Sequence, residues 1–272
     1  MTTPTDAAMA TAPLVQNNSL PAPEGVERLH EVRKIALDRS LWVTAVAIAE
    51  LRTLANDKIR VENRDRGPAG NRANDVQGVL GEIVAIIHLE KAFGLDAICH
   101  DLFSVGGPVD DVDISVSWDN RTERLEAKCL IWDASKRLFL INDEAHARSV
   151  KREASGYIPI ITSIGSDIAI AGPKFPIAST SEWNIQDFGY NDPARSIELT
   201  RFCPTYLQRS WLEIRNKYLE NHAESVCLKD DLLNILPRKI VAHRHQIEAE
   251  LKTSTSSIRA LAEKIASVIT AD

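Results

Sequence analysis

Between Asp113 and Trp118 the chain alternates, with Ile114, Val116 and Trp118 apolar and Ser115 and Ser117 polar. A period of two marks a half-buried strand, because successive side chains leave a strand on opposite sides. Asp119-Asn120-Arg121-Thr122 is polar and turn-prone. From Glu123 to Cys129 the alternation resumes, setting Leu125, Ala127 and Cys129 against Arg124, Glu126 and Lys128. The pattern predicts a β-hairpin. With Trp118 paired to Glu123, Asp113 stands opposite Lys128 and diagonal to Glu126, so these three share one face and the apolar residues line the other. A slip of one residue would destroy that agreement.

Helical spacing runs from Val26 to Asp57 through Leu29, Val32, Ile35, Ala36, Leu41, Val46 and Leu51, which predicts one long helix or two in succession. Lys58 to Arg72 carries Arg60, Arg64, Arg66 and Arg72 around Gly67-Pro68 and Gly70 and reads as a basic, mobile loop. Asn74 is suited to cap the next helix and Gly94 to end it. Within that helix Glu82 is the lone charge between Gly78 and Ile87. Each interior glycine costs about 1 kcal/mol relative to alanine, so Gly78 and Gly81, on turns adjoining Glu82 and Ala85, predict close packing against a sheet.

Past the hairpin, Arg137 to Ile141 reads as a strand, Asp143 to Ser155 as a helix, Tyr157 to Ile164 as a strand and Asp167 to Ala171 as a further short one. An irregular stretch extends to Pro193. Tyr206 to His222 and Leu228 to Ile269 read as helices, broken near Pro237 and Ser254. The β-α-β order defines an α/β class. The organisation expected is a disordered tail at 1–25, a main domain at 26–215 and a helical extension at 216–272.

Composition sets outer limits. A chain of 272 residues with 44% hydrophobic content can bury a full core. Cys99, Cys129, Cys203 and Cys227 have no paired metal-ligand spacing and read as reduced thiols of a cytoplasmic protein, and the scattered histidines support neither zinc nor haem. Leu41 to Ala49, bounded by Arg39 and Glu50, falls short of the ~20 residues of a membrane helix.

Asp113, Glu126 and Lys128 carry the candidate chemistry. Hard divalent cations such as Mg²⁺ or Mn²⁺ prefer carboxylate and carbonyl oxygens, and a cation held by two carboxylates can orient a water and polarise a phosphoryl oxygen. Lys128 adds positive charge where negative charge would develop.

The helix bearing Gly81-Glu82, then Asp113 opening a strand, then Glu126-Ala127-Lys128 on the next strand, resembles the PD-(D/E)XK superfamily of restriction-endonuclease-like nucleases. The similarity covers roughly Asn74 to Thr162. It implies a central mixed sheet flanked by helices, metal ligation by Asp113, Glu126 and the Ala127 carbonyl, a water-positioning and transition-state role for Lys128, and an assisting role for Glu82. It also implies a DNA substrate and a restriction, defence or mobile-element setting. One departure is Val112-Asp113 where the family has Pro-Asp, which leaves Asp110 and Asp111 as rival first acids.

A net charge of −6 and a pI near 5.7 argue against generic polyanion binding, so DNA contacts fall to local patches. Arg60, Arg64, Arg66 and Arg72 of the loop, with Lys136, Arg137, Arg148, Lys151 and Arg152, either flank the site with positive charge or are ordinary solvated surface charges. Asn142 and His146, four apart at a helix start, either face the cleft beside Lys128 or serve as a cap and an exposed histidine. Arg238 to His245 is either a DNA contact or the arm of a homodimer. Two other classes stay open: a catalytically inactive nucleic-acid-binding or assembly protein of the same fold, and an interaction protein docking through its long helices.

Overall fold

The computed structural model describes residues 24–56, 67–104, 112–131, 138–162, 165–187, 193–198, 230–253 and 257–270. Arg60, Arg64, Arg66, Lys136 and Arg137, the rival acids Asp110 and Asp111, and the helix expected over Tyr206 to His222 lie outside them, as does nearly all of the expected tail.

The described residues open with a short helix α1 (Glu24–Arg28), a strand β1 (Arg33–Ala36) and two long helices, α2 (Arg39–Asn56) and α3 (Gly67–Phe93). Strands β2 (Ile98–His100), β3 (Ile114–Trp118) and β4 (Arg121–Ile131) form a meander, followed by β5 (Leu138–Asn142), α4 (Asp143–Lys151), β6 (Gly156–Thr162), β7 (Ile168–Ala171) and β8 (Phe175–Pro176). A 3₁₀ turn (Ile177–Glu182) leads to β9 (Asn184–Asp187) and β10 (Pro193–Glu198). A π-helical turn (Asp231–Ile235) then runs into α5 (Leu236–Ala242), α6 (Arg244–Thr253) and α7 (Ile258–Thr270).

The main sheet has the order β1-β7-β6-β4-β3-β2, with β8 added along β6, and it is mixed: β4 and β6 run parallel while the other neighbours are antiparallel. A second sheet, β5-β10-β9, is antiparallel. Alternation along the strands divides the apolar residues between two layers. Ile114, Val116, Leu125, Ile158, Ile160, Ala169 and Ala171 join α2, α3 and the carboxy-terminal helices in one core. Tyr157, Ile161, Ile168 and Ile170 turn the other way and pack with Phe139, Ile141 and Trp183. Leu232, Leu236, Ile240, Ile247, Leu251, Leu261 and Ile265 belong to the same core as α2 and α3, so the carboxy-terminal helices cover it instead of projecting from it.

Several expectations require correction. The segment from Val26 read as one long helix or two in succession contains β1, because Ile35, the one buried residue of that strand, pairs with Ala169 of β7 and not with a helical neighbour. The long helix begins at Gly67, where proline is tolerated in a first turn, so Arg72 is helical and Asn74 lies inside the helix, not at its cap. Gly94 does end it, with φ 90° and its N–H donating to the Glu90 carbonyl at 2.9 Å. The stretch before Pro193 contains β8 and β9, and β10 starts at Pro193. Pro237 sits in the first turn of α5, a break falls at His243, and Ser254, between α6 and α7, lies outside the described residues.

The hairpin register is the correction that matters most for the site. Trp118 pairs with Arg121 and Ile114 with Leu125, leaving Asp119-Asn120 as a two-residue turn. Both turn residues have positive φ, 44° and 61°. Asp and Asn accept that conformation more readily than most residues, and a type I′ turn follows the twist of the flanking strands. Arg121 and Thr122 thereby become strand. The register differs from the expected one by two residues, an even number, so every side chain keeps its face.

Candidate active site

Asp113 immediately precedes the first residue of β3, and the ladder carried one step past Ile114–Leu125 sets it against Glu126. Its Oδ2 accepts a hydrogen bond from the Ala127 N–H at 2.8 Å. The N–H and C=O of one strand residue leave on the same side, so the Ala127 carbonyl emerges on this edge too, beyond the last β3 pair. Lys128, two residues along the same face, donates from Nζ to Glu126 Oε2 at 2.7 Å and stands 5.7 Å from the centroid of the Tyr157 ring.

Glu126 is buried, with only 3% of its surface exposed. Its Oε1 has no hydrogen-bond partner, and Arg152 Nη1 lies 3.5 Å away, beyond ordinary hydrogen-bond range. On α3, Glu82 is gripped by Arg52 through two bonds of 2.9 Å. Arg52 also donates to the Leu102 carbonyl at 2.9 Å.

Burial pushes the Asp113 carboxyl up to about 7; Lys128 and the Ala127 N–H work against that, and the charges of Glu82 and Glu126 reinforce it. Burial favours the neutral amine at Lys128, but Asp113 and Glu126 outweigh it and leave the ammonium more stable than usual. Lys128 is therefore a fixed positive charge at neutral pH and not a base.

The close approach of α3 to the sheet comes from Gly81. A Cβ built there would meet the Cβ of Cys129 on β4 at 2.7 Å. Gln77, one turn earlier, donates to the Cys129 carbonyl. Gly78 meets nothing within 4 Å and takes no part in this approach.

The other expected residues are placed as follows. Asn142 caps α4, its Oδ1 accepting from the Ala145 N–H at 3.1 Å. His146 Nδ1 is 2.8 Å from the Tyr157 hydroxyl, so it meets Lys128 only through that ring. The Thr180 hydroxyl donates to the Ile177 carbonyl at 2.6 Å. It must therefore accept from His146 Nε2, at 3.3 Å, which makes Nδ1 the acceptor of the Tyr157 proton. Arg72 is bound to Glu50 and to the Leu233 carbonyl, each at 3.1 Å, tying α3 to α2 and to the carboxy-terminal helices.

Arg52 and Tyr157 were not singled out by sequence. The apolar run Leu41 to Ala49 hides that α2 delivers an arginine to α3, and Tyr157 reads as an ordinary strand aromatic. Arg152 belonged to a basic patch, but its proximity to Glu126 depends on the end of α4.

A divalent cation fits the donor set. Asp113 and Glu126 offer hard oxygens, the Ala127 carbonyl adds another, the buried Glu126 Oε1 lacks a hydrogen bond, and burial, reinforced by the neighbouring acids, raises Asp113. Mg²⁺ needs only one or two carboxylates, because it keeps several waters or substrate oxygens. Among the described residues no group of three or more His, Cys, Asp or Glu side chains is arranged to hold a metal ion, in keeping with Glu82 being held by Arg52. No helix among them is long and apolar enough to cross a membrane. No protein-family model, curated protein or solved structure matches this chain.

Proposed function

We propose that this chain is a metal-dependent nuclease of the restriction-endonuclease-like type, acting on DNA phosphodiesters with Mg²⁺ or Mn²⁺. The observation that carries the reading is the convergence of Asp113, Glu126 and Lys128 at the open end of the hairpin, joined by the Asp113–Ala127 and Glu126–Lys128 hydrogen bonds. The element order supports it. A helix (α3), a three-stranded meander (β2, β3, β4), a helix (α4) and a strand parallel to the last meander strand (β6) bring the acids together, with β5 inserted before α4.

In this reading Asp113, Glu126 and the Ala127 carbonyl would hold the cation, which would supply polarisation of a phosphoryl oxygen and activation of a water. Lys128, lastingly charged, would support the attacking oxygen and offset the charge that builds on the phosphate. Glu82 keeps Asp113 in a negative field and becomes available to the cation or its water on release from Arg52.

The test is cleavage of plasmid, linear duplex and single-stranded DNA by purified protein in Mg²⁺, Mn²⁺ or EDTA. Cutting that requires metal and falls by roughly a hundredfold or more in Asp113→Ala, Glu126→Ala and Lys128→Ala is the expected result. Absence of cutting, or unchanged cutting in all three variants, overturns the reading.

A second reading draws on the ion pairs Arg52–Glu82 and Lys128–Glu126, which satisfy acids without any metal. A noncatalytic nucleic-acid-binding protein built on that cluster binds DNA equally with Ca²⁺ or chelator and never cuts.

A further inference from the structure

We propose that Arg152 is a substrate ligand of this site, its guanidinium taking a non-bridging oxygen of the phosphodiester when a cation takes Glu126. This rests on the nuclease reading above and adds to it a residue that contacts the phosphate.

The end of α4 aims the residue. Ala154 N–H donates to the Ser149 carbonyl and Glu153 N–H to the Val150 carbonyl, both at 3.0 Å, and Glu153 is left-handed with φ 57°. That is a Schellman ending with glutamate in the position usually held by glycine. Arg124 Nη2 donates to the Arg152 carbonyl at 3.0 Å, fastening the Arg152 backbone to β4. The side chain is thereby delivered to Glu126 from a fixed point.

Two cations face Glu126, and they differ. Lys128 makes a 2.7 Å hydrogen bond to Oε2, while Arg152 stands 3.5 Å from Oε1, with 20% of its side chain exposed against 4% for the acid. Arg152 is therefore the more exposed and more loosely held partner of a buried oxygen that lacks a hydrogen bond. Once that oxygen is ligated, the guanidinium fork has a phosphate within its chemistry, since planar paired donors suit phosphate better than a point charge.

The experiment is anisotropy of a fluorescein-labelled DNA duplex, with wild type, Arg152→Gln, Arg152→Lys, Glu126→Gln and the Glu126→Gln/Arg152→Gln double variant. In Ca²⁺, Arg152→Gln should weaken binding by about tenfold or more, the scale of a hydrogen bond to a charged group, and Arg152→Lys should recover only part. In EDTA, Glu126→Gln should tighten binding by relieving Arg152 of its acid, and the double variant should lose that gain. Wild-type affinity in both Arg152 variants, or a Glu126→Gln gain that survives Arg152→Gln, overturns the proposal. Full loss in Arg152→Gln with complete recovery in Arg152→Lys also overturns it, because a bare charge would then suffice. If wild type never cuts while the Arg152 effects appear, the nuclease reading fails and the phosphate contact stands. If wild type cuts and the Arg152 effects are absent, the reverse holds.

Discussion

The Asp113 carboxylate is held by the Ala127 backbone N–H at 2.8 Å, which docks the residue before one strand onto the middle of the next. An asparagine at 113 can still accept that bond while carrying no charge. Because burial raises the Asp113 pKa to about 7 in the folded protein against about 4 in an unfolded chain, folded protein binds the extra proton between these values. Metal-free stability from this group is accordingly lost as pH rises from about 4 to about 7. Asp113→Asn should abolish metal-dependent cutting yet melt higher than wild type in EDTA, by a margin that widens over this window and is flat above it. Thermal melts at several pH values check this, and a margin that shrinks with rising pH refutes it.

His88 supplies the opposite pH dependence. It is fully buried on α3 and neither ring nitrogen has a hydrogen-bond partner. Burial, then Arg33, lowers its pKa to about 4. Between an unfolded value near 6.5 and that folded value, the unfolded chain holds more protons. Stability from this group is present above about pH 6.5 and lost as pH falls toward 4, on the order of 3 kcal/mol. His88→Leu should stabilise the protein at neutral pH by about 1–3 kcal/mol, the cost of burying an unsatisfied polar group, and flatten the acid limb. Urea titrations at pH 7 and pH 5 measure both effects.

Two glycines of one helix should respond in opposite ways. Gly81→Ala places a methyl 2.7 Å from Cys129 Cβ, which must push α3 off β4 at a cost of about 1–3 kcal/mol. It should also lower activity by displacing the neighbouring Glu82. Gly78 is exposed with open space around it, so Gly78→Ala should stabilise by up to about 1 kcal/mol through helix propensity. Chemical denaturation of the pair decides the matter; equal signs would contradict the packing described.

Glu153→Gly addresses the left-handed residue that ends α4. Removing its Cβ at φ 57° relieves about 1 kcal/mol of backbone strain. The variant should melt a few degrees higher, with DNA binding unchanged, since the exposed carboxylate touches nothing in the acid cluster.

What was legible in sequence follows from the robustness of period two. The shared face of Asp113, Glu126 and Lys128 survives a turn of two residues where four were expected, because only odd slips invert a strand. The close approach at Gly81 was equally visible, while Gly78 shared its spacing but not its role. Strand β1 was hidden because a four-residue edge strand draws its identity from β7, more than a hundred residues away. The same holds for β9, all of it exposed, which is a strand only through β10. Arg52 and Arg152 reach the acids through tertiary packing and a helix end, and neither leaves a local pattern.

The placement of Leu232, Leu236, Ile240 and Ile265 against α2 and α3 bears on how the chain can be cut down. Shortening it before Asp230 would strip the roof from the helical layer, and such a fragment would fail by unfolding whatever the last forty residues bind. Minimal versions meant to isolate the acid cluster must therefore retain the sequence through Thr270.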